Sequence, residues 1–117
     1  MRKKLAVLVM GCLFLFNSCY YDKEELLYPG GNTCNPVSSS FANVVKPVIE
    51  TKCAITDCHA AGSSNGPGPL TSYALIQNAA IEIKSAVASG FMPKTGSLTA
   101  AEKQAIICWV DLGAQNN

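Results

Sequence analysis

Apolar residues recur at helical spacing in three parts of the chain. Phe41, Val44, Val45, Val48 and Ile49 fall at i, i+3, i+4, i+7 and i+8, which places them on one helix face. Pro47 lacks the N–H that an unbroken helix would use there. The pattern therefore predicts a short turn over residues 39–45 and a helix over 46–53. Residues 71–89 are rich in Ala, Leu and Ile and contain neither Pro nor Gly. They read as one or two helices, ended by Gly90. Thr99 followed by Glu102 forms a capping-box pattern. Beyond it, Ala105, Ile106, Trp109 and Leu112 line one face, and Gly113 suits the end of that helix. Residues 60–70 are punctuated by Gly and Pro and read as a loop. No stretch alternates with the period of two that marks a strand, so the fold class expected is all-α.

The amino-terminal pattern differs. Arg2, Lys3 and Lys4 precede an apolar run from Leu5 to Phe16, broken only by Gly11 and Cys12. The run is too short to span a bilayer and has the order of a secretory signal. Asn17, Ser18 and Cys19 follow, and a small residue before a cysteine resembles a lipobox. Cys19 is thus the expected lipidation site. A cut before Cys12 would leave the apolar region too short, and a plain signal peptide is the other reading. The organisation expected is a lipoprotein signal over 1–18, a lipid-anchored linker over 19–37 and a domain over 38–117. Asp22 to Glu25 reads equally as a surface-export signal or as a solvated tether. The protein would sit on the periplasmic face of a membrane, on the outer membrane or at the cell surface.

Charge adds an exclusion. Of nine basic residues, three lie in the signal, leaving six against eight acidic ones. The mature chain is near −2 and carries no basic cluster, which argues against nucleic-acid binding. A domain of about 80 residues often needs a disulfide, a metal or a cofactor to be stable. Six cysteines in 117 residues are therefore informative.

Cys53 and Cys58 are separated by four residues, and His59 follows directly. Covalent haem attachment needs two thiols to meet two vinyl groups and an adjacent histidine to ligate iron, usually as C-x-x-C-H. The spacing here is C-x4-C-H, two residues longer. His59 is the only histidine, so a second axial ligand has to be something else. Met92, between Phe91 and Pro93 and ahead of the last helix, is a soft thioether that suits iron in a Met/His pair. A carbonyl of the loop Gly66 to Leu70 is placed to accept the His59 Nδ1–H and orient the ring. Tyr73, Phe91 and Trp109 are candidate apolar cover for the porphyrin, with Pro69 and Leu70 in the same pocket.

From about Phe41 to Ala114 the chain resembles small class I cytochromes c. The resemblance rests on the helix ahead of the motif, Cys58 with His59, the Gly-Pro loop, Met92 with Pro93, and the aromatic-bearing last helix. It implies three to five helices around one haem c. It also implies thioether bonds at Cys53 and Cys58, His59 as proximal ligand, Met92 as distal ligand, and Trp109 where the last helix crosses the first. The family's glycine/aromatic pair in the first helix is absent, which leaves Ala42 or Val45 for that crossing. The activity implied is single-electron transfer to or from a redox partner protein, by a monomer that is not itself an enzyme.

With those residues assigned, Cys34 and Cys108 remain, and two leftover cysteines in an exported protein usually pair. Three competing readings stand beside the cytochrome. One is a haemless surface lipoprotein or interaction module with a Cys53–Cys58 disulfide. Another is a zinc site built from Cys53, Cys58, His59 and Cys34 or Cys108. The last is a hydrolase using His59 with Asp57.

Overall fold

A computed structural model describes residues 34–117. The expected signal, the lipidation site Cys19 and the linker up to residue 33 lie outside the described residues.

Pro47 shapes the first helix. The N–H groups of Val44 and Val45 both donate to the Ser40 carbonyl, and that of Lys46 donates to Phe41, five residues back. This widened π-helical turn, Phe41–Val45, leads into α1, Lys46–Lys52. Pro47 falls in the first turn of α1, where no N–H is needed. Phe41, Val45, Val48 and Ile49 are buried as the periodicity predicts, while the wider turn leaves Val44 half-buried. The free N–H groups ahead of the turn are met from the other end of the chain. Asn117 accepts from Phe41 N–H through its side chain at 2.8 Å and from Ala42 N–H through its backbone oxygen at 2.8 Å. Ala42 is exposed, so of the two small candidates it is Val45 that sits inside.

The stretch 71–89 forms two helices, α2 at Tyr73–Asn78 and α3 at Ala80–Ala88. Ser72 caps the first, and Ala79, at φ −95° and ψ 8°, breaks the pair. Ile76, Ala79, Ala80, Ile83 and Val87 face the core, and Gly90 turns the chain out of α3 at φ +75°.

The last helix, α4, spans Ala100–Asp111 and carries the predicted capping box in full. Thr99 N–H donates to the Glu102 carboxylate at 2.7 Å, and Glu102 N–H donates to the Thr99 hydroxyl at 3.2 Å. Ala105, Ile106 and Trp109 are buried, but Leu112 is 39 % exposed. The periodicity runs past the end of the helix there. Gly113 takes φ +94° and its N–H returns to Val110, while Ala114 N–H returns to Trp109, closing a Schellman motif. That reversal packs Ala114, not Leu112, against the core.

Among the described residues the protein is all helix, turn and loop, with no strand. α3 packs along α4, and the π-helical turn packs on α4 and α1. Phe41 joins them, edge-on to Tyr73 at 4.9 Å and tilted against Trp109 at 5.4 Å. Both polar tips are satisfied: Tyr73 O–H donates to Ala114 O at 2.8 Å and Trp109 Nε1–H donates to Gln115 O at 2.9 Å. A disulfide joins Cys34 to Cys108 of α4, with Cα atoms 5.1 Å apart, as elimination predicts. The bridge ties residue 34 to α4.

Candidate functional site

α1 ends at Cys53, whose N–H donates to Ile49 O. The seven-residue segment from there to His59 closes on itself, because His59 N–H donates to Cys53 O at 3.0 Å. Within it, Cys58 N–H donates to Ile55 O, and Asp57 adopts the left-handed conformation at φ +65°. Ile55, Thr56 and Asp57 are therefore pushed into solvent, while Cys53 and Cys58 are half-buried and His59 is buried. The longer spacing is absorbed as an outward loop. Asn65 pins that loop by donating to the carbonyls of Asp57 and Cys58, both at 3.0 Å, and the Ser63 hydroxyl also donates to Cys58 O.

The His59 ring is buried, with Nδ1 2.9 Å from Gly68 O. A carbonyl can only accept, so it is the Nδ1–H that donates, which leaves Nε2 as the ring nitrogen available to a ligand. This is the carbonyl contact expected of the Gly66 to Leu70 loop. Nε2 has no protein partner among the described residues, yet no buried polar side-chain atom there is left unsatisfied, so Nε2 is not sealed off. His59 lines a cavity of about 780 Å³, within the size range of small-molecule and cofactor sites.

Cys53, Cys58, His59, Leu70 and Met92 all border this one cavity. Met92 is half-buried, and its N–H donates to Ala86 O of α3 at 3.1 Å. α3 adds Ile83, Ala86 and Val87, which share a face by their spacing. Cys53 and Cys58 are both free cysteines. Burial, and then the neighbouring Cys58, push the Cys53 thiol above its ordinary pKa. It stays protonated at neutral pH.

Three residues expected in the pocket lie elsewhere. Pro69, Tyr73 and Trp109 are absent from the cavity wall. Tyr73 and Trp109 turn toward the carboxyl-terminal carbonyls that satisfy their polar tips, and so belong to the core. Phe91 does reach the cavity, at its rim, where it is 60 % exposed. The pattern gave no sign of Lys52, Glu82 and Lys94 in the lining; Asp57, named only in the hydrolase reading, is its fourth charged residue. Among the described residues, no three His, Cys, Asp or Glu side chains are grouped to hold a metal ion, which leaves the zinc reading without a geometric basis.

No family model, curated protein or solved structure matches this chain.

Proposed function

We propose that this protein is an exported monohaem c-type cytochrome that passes single electrons to or from a partner protein. The observation that carries the reading is His59. Its ring is held by Gly68 O, and its Nε2 is unpartnered in an apolar cavity bordered by two free thiols and one thioether. A histidine oriented through Nδ1 by a carbonyl is the arrangement that metal-ligating histidines use.

The donor set fits haem c. Cys53 and Cys58 would hold the group by thioether bonds, His59 would ligate iron through Nε2, and the Met92 thioether would supply a second ligand. When bound, haem supplies the one-electron couple, and a Met/His pair favours a raised potential. The chain's own part is to fix the His59 tautomer, to hold Met92 on α3 through Ala86, and to keep water from the wall made by Ile83, Ala86 and Val87. The amino-terminal signal and Cys19 support export and a lipid anchor, with the protein a monomer at a membrane surface.

The test is the absorption spectrum and intact mass of protein from its native host, before and after acid–acetone extraction. A haem mass and a Soret band that survive extraction are expected. Haem lost on extraction would mean ligation through His59 without thioethers. Protein that never held haem, with Cys53 joined to Cys58, would replace this reading with a haemless surface module.

A further inference from the structure

Five consecutive residues, Phe91 to Thr95, border the cavity, and Met92 is among them. This wall is loosely held. It is flanked by Gly90 at φ +75° and Gly96 at φ +73°. Among the described residues, Met92 N–H to Ala86 O is the only main-chain hydrogen bond made by residues 91–98. One further contact spans the ligand residue. Lys94 Nζ lies 3.2 Å from the centroid of the Phe91 ring. Phe91 and Lys94 flank Met92 and its neighbour Pro93, so the contact closes the segment into a small loop on the cavity rim.

We propose that the Lys94–Phe91 cation–π pair is a positioning device that keeps the Met92 sulfur facing the haem site. The inference rests on the cytochrome reading given above. A neutral thioether competes with any other ligand for the sixth position of iron. Its hold depends on the fraction of time that the loop is in place. A cation over an aromatic face at an exposed site shifts that fraction about two- to five-fold. Phe91, an aromatic ring left in solvent, is thereby put to use by the ammonium above it.

The experiment uses the haem-loaded protein in its ferric state, titrated with imidazole as the competing ligand. The readout is loss of the sulfur-to-iron charge-transfer band. Phe91→Leu and Lys94→Gln are each expected to raise the apparent imidazole affinity about two- to five-fold. The double variant should match the singles rather than multiply them, and Lys94→Arg should behave as wild type. Urea unfolding midpoints check that the variants are folded. Unchanged affinity in the single variants, or effects that multiply in the double, would overturn the pairing while leaving the cytochrome reading intact. Wild-type protein without covalent haem, or with a spectrum indifferent to Met92→Ala, would overturn both.

Discussion

Asp57 sits at φ +65° in the outward loop between Cys53 and Cys58. Left-handed backbone costs an L-residue roughly 1–2 kcal/mol, and Asp tolerates it better than branched side chains. Asp57→Gly should therefore be at least as stable as wild type in urea unfolding. Asp57→Val should lose about 1–2 kcal/mol. At this scale the chain was legible wherever a side chain has one chemical outlet. His59 is the lone histidine beside a loop of free carbonyls, and its ring finds Gly68. Trp109 and Tyr73 were less legible. Apolar bulk announces burial but not which cavity is served, and their N–H and O–H groups were drawn to Gln115 and Ala114.

α4 shows how a helix start can be read directly, since its capping box requires two residue types at a fixed interval. Thr99→Ala should cost about 1 kcal/mol by chemical denaturation. Glu102 adds a pH dependence. The hydrogen bonds it shares with Thr99, from the backbone first and the side chain second, hold its carboxyl below the usual range. A lowered folded pKa means that the contribution is full above the unfolded value of about 4.3 and fades as pH falls through the folded one. Glu102→Gln keeps the reciprocal bonds but removes that titration. Its stability relative to wild type should rise on acidification through that window, read as unfolding midpoints. The π-helical turn was less open to reading. Pro47 announces a conflict, but apolar spacing does not say whether the chain will break or widen. Likewise the periodicity that includes Leu112 carries no information about the Schellman reversal, which depends on the backbone freedom of Gly113.

For the molecule as a whole, the Cys34–Cys108 bridge spans 74 residues of sequence. By the chain-entropy model a loop of that size is worth about 4 kcal/mol. Cys34→Ser paired with Cys108→Ser should lower stability by about that much, measured against wild type without reductant. The bridge was legible because it was what remained once the motif had claimed its thiols. The far wall of the cavity was not, because Ile83 and Val87 satisfy core and cavity patterns equally. Helical spacing marks an inward face without saying what lies inside it.

The bridge also sets where force enters the fold. Cys108 belongs to α4, and no residue of α4 borders the cavity. Any pull on the chain ahead of Cys34 is handed through the sulfurs to α4, the broad spine on which α3 and the first helical turn rest. The segments that carry His59 and Met92 stand outside that line of tension.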